Sequence, residues 1–85
     1  MSYQIEFKSR AARELAKLPR AAAERVARAI DALALDPRPP GCKKLVGVDR
    51  LWRIRVGDYR VIYEIHDQQL QILVITIGHR REVYR

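Results

Sequence analysis

Cysteine is nearly missing from this 85-residue chain: Cys42 stands alone, so no internal disulfide can form and one thiol builds no zinc site. Long apolar runs are missing too. Nothing approaches the roughly 18 residues that span a bilayer, and no secretory h-region follows Met1. Length is also short, which leaves room for one small domain over residues 1–85 and none for a second. At this size folding buries only about 60% of the unfolded chain's surface, so the core must be compact. These absences point to a soluble, cytoplasmic protein of a reducing compartment. What is plentiful is positive charge. Seventeen Lys and Arg against ten Asp and Glu give +7. Residues 1–42 carry 8 basic and 5 acidic groups and residues 43–85 carry 9 and 5, so the excess belongs to the whole domain and not to a tail. Such a surface suits a polyanionic partner (RNA, DNA or an acidic protein), although net charge also serves solubility alone. At 48% hydrophobic and 32% charged residues, the composition is that of a folded globule.

Residues 3–7 alternate, with Tyr3, Ile5 and Phe7 on one face, as in a half-buried strand. Ser9 offers an N-cap for a helix to about Leu18, striped by Ala11 or Ala12, Leu15 and Leu18. Pro19 ends that helix and can open the next, where Ala22, Val26, Ile30 and Leu33 keep helical spacing to Leu35. The pair forms an αα-hairpin whose Arg10, Arg13, Lys17 and Arg28 make a solvated face. Asp36–Gly41 holds three prolines and a glycine and is a loop. Lys43–Arg50, without periodicity, is expected to be loop as well. Neither repeats nor low-complexity tracts occur.

Three β-rich runs follow, at 51–56, 59–65 and 70–77. Gly57-Asp58 separates the first two by two residues, the spacing of a type I′ or II′ hairpin. That loop sets Val56 opposite Tyr59, Arg55 opposite Arg60, Ile54 opposite Val61 and Arg53 opposite Ile62. Period-2 geometry places Trp52, Ile54, Val56, Tyr59, Val61, Tyr63 and Ile65 on one face. Arg53, Arg55 and Arg60 fall together on the other, beside Ile62, Leu73 and Ile75. Like charges across a strand pair cost stability. Three arginines together therefore either stay wet or face an anion, and their apolar neighbours favour an anion-binding groove. The fold class is α+β: a small antiparallel sheet packed on an N-terminal αα-hairpin in the order β-α-α-β-β-β, with the helices over the Trp52/Ile54/Tyr63 face.

The stretches Arg-Ile-Arg-Val-Gly-Asp-Tyr-Arg-Val-Ile-Tyr-Glu-Ile (53–65) and Gly-His-Arg-Arg-Glu-Val-Tyr (78–84) resemble the RelE branch of the RelE/ParE toxin superfamily. Leu-Ala-Lys-Leu-Pro (15–19) and the Asp36–Leu45 segment extend the likeness over almost the whole chain. The resemblance implies the toxin of a toxin–antitoxin pair, a ribosome-dependent messenger RNA endoribonuclease needing neither metal nor cofactor. Its reaction is attack of the 2′-OH on the adjacent phosphodiester, leaving a 2′,3′-cyclic phosphate and a 5′-OH. The implied partners are a cognate antitoxin, the ribosome and messenger RNA, with no membrane. By motif position the site residues are Arg53, Arg55, Arg60, Arg80 and Tyr84. Lys43, Lys44, Arg50 and Arg81 complete the expectation as RNA-binding cations.

The chemistry needs a deprotonated 2′-OH, a stabilised phosphorane and a protonated leaving oxygen. Familiar ribonucleases use two histidines or a His/Glu pair. Here His66 reads as a turn residue, and His79, beside Arg80, is an additional acid–base candidate. Several relatives carry lysine where this chain has Arg53 and Arg55. Arginine stays protonated, so Arg53, Arg55 and Arg60 are assigned to phosphate binding and transition-state charge. The resemblance makes Arg80 the proton donor or its electrostatic stand-in, while Tyr84 could orient the 2′-OH or stack on a base. Strict alternation from Ile75, however, puts Ile77, His79 and Arg81 on the arginine face; a bulge at Gly78 would reverse that phase. Two other functions fit the same resemblance: a ParE-like topoisomerase (gyrase) inhibitor, and a degenerate RelE homologue acting only by binding.

Overall fold

Proline divides the first half of the chain. In the computed structural model, which describes residues 2–47 and 50–79, strand β1 (Gln4–Phe7) leads into helices α1 (Ser9–Lys17) and α2 (Arg20–Ala32). Pro19 sits between the helices as the N-cap of α2, and its carbonyl accepts the Ala23 N–H at 2.8 Å. It lacks the amide that would have continued α1, and its fixed φ suits the entry to the next helix. After α2 come β2 (Lys43–Lys44), β3 (Leu51–Val56), β4 (Tyr59–His66) and β5 (Gln71–His79). The strands form one sheet in the order β1-β5-β4-β3-β2.

The core lies between the helices and one face of the sheet. α2 buries Ala22, Val26 and Ile30 at four-residue spacing, and Leu33 follows just past its end. These meet Ile54, Val61, Tyr63, Ile65, Ile72, Val74 and Ile77 from the strands. Each fully buried aliphatic or aromatic side chain contributes roughly 1.5–3 kcal/mol. Ala11 supplies the buried point of α1, with Leu15 and Leu18 packed at the margin and Ala12 exposed.

The β3–β4 hairpin has the expected register: Val56↔Tyr59, Arg55↔Arg60, Ile54↔Val61, Arg53↔Ile62 and Trp52↔Tyr63. Gly57 takes φ +60° and Asp58 does not take positive φ, the pattern of a type II′ turn. Several local expectations give way to the structure. Ser9 is the first helical residue, not the cap; Lys8 holds the cap position without a side-chain hydrogen bond. Phe7 is 37% exposed, because β1 is an edge strand that turns away into α1. The sheet is not wholly antiparallel, since β1 runs parallel to β5. Within the segment expected to be loop, Lys43 and Lys44 pair with Arg53 and Trp52 as β2. That strand is so short that, among the described residues, no strand flanks Ile54–Val56 on its outer side. A bulge does reverse the phase of β5, but at Ile75 and not at Gly78. Ile62 pairs with Thr76 and Tyr63 with Val74, leaving Ile75 as the extra residue. Val74 and Ile77, three apart, both reach the core.

Candidate active site

The face of the sheet turned away from the helices carries two cross-strand rows. Lys43, Arg53, Ile62 and Thr76 make one row, and Arg55, Arg60 and Gly78 make the next. Neighbouring strands lie about 4.8 Å apart and same-face residues on one strand about 7 Å apart. The Cβ atoms of the four cations therefore fall within about 12 Å of one another. Gly78 offers no side chain beside Arg60. The bulge makes this so: it brings Gly78, and not Ile77, opposite the arginine.

Burial separates the three arginines. Arg55 is exposed, whereas Arg53 and Arg60 each keep only 7% of their surface. Arg60, one of three arginines expected either to stay wet or to face an anion, is thus shielded from solvent. It stands between Arg55 and Gly78 in its row, and its burial reaches the guanidinium, whose Nε is out of solvent. Ile62, between the two buried arginines, is itself 8% exposed. Packed stems hold their guanidinium groups in place before a ligand arrives, and a forked guanidinium matches phosphate oxygens. At the β3 edge this face opens into a groove of about 470 Å³, lined by Lys43, Arg53 and Arg55 against Pro39, Pro40 and Ala32.

Of the other described candidates, Lys44 and Arg50 do not join this cluster. Lys44 pairs with Trp52 and so projects to the opposite side of the sheet. With Arg38, Arg50, Trp52 and Asp67 it lines a separate groove of about 630 Å³. There Arg38 lies 5.0 Å from the Trp52 ring centroid and donates two hydrogen bonds to Asp67, at 3.3 and 2.9 Å. Tyr3 Oη donates to the same carboxylate at 2.6 Å. Hydrogen bonds from Arg38 and then Tyr3 hold the Asp67 carboxyl below its ordinary range. Tyr63 anchors the proline loop from beneath by donating to the Pro37 carbonyl at 2.7 Å, and burial pushes its phenol up.

Neither histidine reaches the arginines. His79 pairs with Tyr59 and meets its ring edge-on, centroids 5.9 Å apart, on the helix-covered face. The bulge put it there, against the expectation from strict alternation. His66 closes β4 instead of lying in the turn, 2.7 Å from Glu64. Arg80, Arg81 and Tyr84 lie outside the described residues. Among the described residues, no group of three or more His, Cys, Asp or Glu side chains could hold a metal ion. No helix among them is long and apolar enough to cross a membrane.

One participant was missed in the sequence. Glu14 of α1 reaches the sheet edge, where Oε1 accepts from Thr76 Oγ1 at 2.8 Å and from the Ile77 N–H at 2.9 Å. Arg10 Nε contacts Oε2 at 3.3 Å. Burial opposes ionisation of Glu14, but the Ile77 amide, the Thr76 hydroxyl and Arg10 together outweigh it and hold the carboxyl low. The available signal was its isolation as the one acid in a helix otherwise basic and apolar.

The ParE toxin of type II toxin–antitoxin systems, parDE, is the family whose sequence pattern matches residues 5–84, and the chain belongs to that family. Its relatives make it a RelE-type toxin of the RelE/ParE superfamily. It is 32% identical to a RelE-like toxin protein of Escherichia coli, over 94% of this chain and 85% of that one. It is 30% identical to the mRNA interferase toxin RelE of Escherichia coli K12, over 99% and 92%. The RelE–RelB complex from Pyrococcus horikoshii contains a chain that superposes with a TM-score of 0.84 at 30% identity, covering 96% of this chain and 99% of that one.

Proposed function

We propose that this chain is the toxin of a type II toxin–antitoxin pair and that it cleaves messenger RNA on the ribosome. The observation that carries the reading is the register of Lys43, Arg53, Arg55 and Arg60 on one face of the sheet, in a chain similar to an mRNA interferase. The scissile phosphodiester lies across this face. Arg53 and Arg60, held by their packed stems, donate to the non-bridging oxygens and take up the charge that grows as the 2′-OH attacks. Arg55, exposed opposite Arg60, closes on the phosphate from the solvent side, and Lys43 extends the field along the strand. Arg80 protonates or stabilises the leaving 5′-oxygen, and Tyr84 orients the 2′-OH or stacks on a base. Arginine is too basic to accept the 2′-OH proton itself, so that proton passes to water as the 2′-O–P bond forms and the P–O5′ bond breaks. His79 stays outside this assignment because it lies on Tyr59 across the sheet. Lys44 and Arg50 act on RNA at the other groove, with Arg81 as a further contact.

Residues 1–85 act as a single domain in the cytoplasm, needing no cofactor. An antitoxin related to the RelB partner of the Pyrococcus protein neutralises it. The test is single-turnover cleavage of message on programmed ribosomes, with 3′-end analysis for the cyclic phosphate. Cleavage should persist after EDTA once ribosomal magnesium is restored. The family match itself favours one competing reading, topoisomerase inhibition of the ParE kind. Absence of cleavage together with inhibition of a topoisomerase would put that reading in its place.

A further inference from the structure

β5 loses its outer strand partner halfway along. β1 pairs with Gln71–Val74 only, and the last backbone link there is the Lys8 N–H to the Val74 carbonyl at 2.9 Å. Immediately beyond come the extra residue Ile75 and then Thr76 and Ile77, where the β4 ladder resumes in the opposite phase. Those two residues are the ones Glu14 grips, with a single carboxylate oxygen. The phase they hold decides what stands beside Arg60. With the bulge, Gly78 does; without it, a one-residue slip would exchange the two faces of the strand and set the Ile77 side chain there.

We propose that Glu14 is a positioning residue for the arginine face: by clamping Thr76 and Ile77 from α1 it locks the phase of β5 after the bulge and keeps a glycine, not an isoleucine side chain, beside Arg60. Glu14 touches no substrate and acts through the strand. Two features make the clamp specific. It satisfies an edge N–H that no strand covers among the described residues, and it ties a side chain of the arginine face to the helix layer behind the sheet. The inference rests on the nuclease reading for its kinetic consequence but not for its structural one.

The experiment compares Glu14→Ala, Glu14→Gln, Thr76→Val and Thr76→Ser. Three quantities are read: single-turnover cleavage at saturating ribosomes, ribosome affinity, and the Arg60 Nε–H resonance with exchange of the Ile77 amide. Glu14→Ala should slow cleavage roughly 10- to 100-fold, the scale on which small misplacements act. Affinity should stay within about threefold, so the loss falls on kcat and not on KM. Glu14→Gln and Thr76→Ser keep the acceptor and the hydroxyl and should restore most of the rate. Thr76→Val, which leaves the Ile77 bond intact, should fall between. The Arg60 resonance should move with the rate across the series, and Ile77 exchange should quicken most in Glu14→Ala. A folded Glu14→Ala protein with an unshifted Arg60 resonance would overturn the proposal, as would equal losses in Glu14→Ala and Glu14→Gln. Wild-type protein that fails to cleave would instead sink the nuclease reading, and the resonance and exchange data alone would then decide the clamp.

Discussion

Truncating Arg60 should damage both function and stability, whereas truncating Arg55 should damage function alone. Arg60 keeps 7% of its surface, so Arg60→Ala removes two buried methylenes at about 0.8 kcal/mol each, or about 1.6 kcal/mol. Against that stands relief of the like charge directly across the hairpin, roughly 0.2–1 kcal/mol. The net loss, about 0.6–1.4 kcal/mol, corresponds to roughly 2–11 °C in Tm for a domain of this size. It leaves the fold standing, since small domains hold about 5–15 kcal/mol. Arg55→Ala buries nothing and removes the same repulsion, so its Tm should hold or rise slightly. In cleavage each variant loses one preorganised donor, roughly 3–4 kcal/mol or about 10²–10³ in rate. Thermal melts and single-turnover cleavage on programmed ribosomes, run on the same preparations, measure both effects. If Arg60→Ala melts with wild type, the packing argument fails. If it also cleaves at the wild-type rate, Arg60 does no phosphate work at all.

Tyr63→Phe should cost about 1–1.5 kcal/mol, because the half-buried Pro37 carbonyl loses its donor while the ring stays packed; unchanged denaturant midpoints would refute this. The low-held carboxyl of Glu14 gives stability that is full above its unfolded pKa, near 4.3, and is lost as pH falls through the depressed folded value. The stability gap between wild type and Glu14→Gln should therefore be level at neutral pH and shrink below about pH 4, and a gap that widens in acid would reverse the argument. Association with an acidic antitoxin should slow as salt rises, because a +7 surface steers its partner; stopped-flow rates independent of ionic strength would exclude that steering.

The hairpin was legible because two residues between β-rich runs leave one way to pair them, and pairing fixed Arg55 against Arg60 and Arg53 against Ile62. The helices were legible from four-residue apolar spacing and from Pro19. The bulge at Ile75 was not, because Leu73–Thr76 offers apolar or β-branched side chains at every position and either phase buries something suitable. For the same reason His79 could not be assigned a face. β2 escaped notice because two lysines carry no strand pattern; their pairing is imposed by β3. Burial of Arg53 and Arg60 was hidden because charge says nothing about what packs on a stem. The covering of Glu14 was equally hidden, since it depends on where β1 stops.

The bare half of β3 bears on how this protein lives among its own copies. Ile54–Val56 offers backbone donors and acceptors at a sheet margin, flanked by apolar groove walls, which is an invitation to strand-by-strand stacking. Arg53 and Arg55 stand on that margin, with Lys43 beside them, and two molecules approaching edge to edge would bring these cations together. The charges proposed to hold a phosphate thus also oppose pairing of two copies along this edge. Stripping them to disarm the protein should yield material that clumps at concentrations the wild type tolerates. A polyanion seated on the face should lift the same repulsion and let copies gather while it is bound.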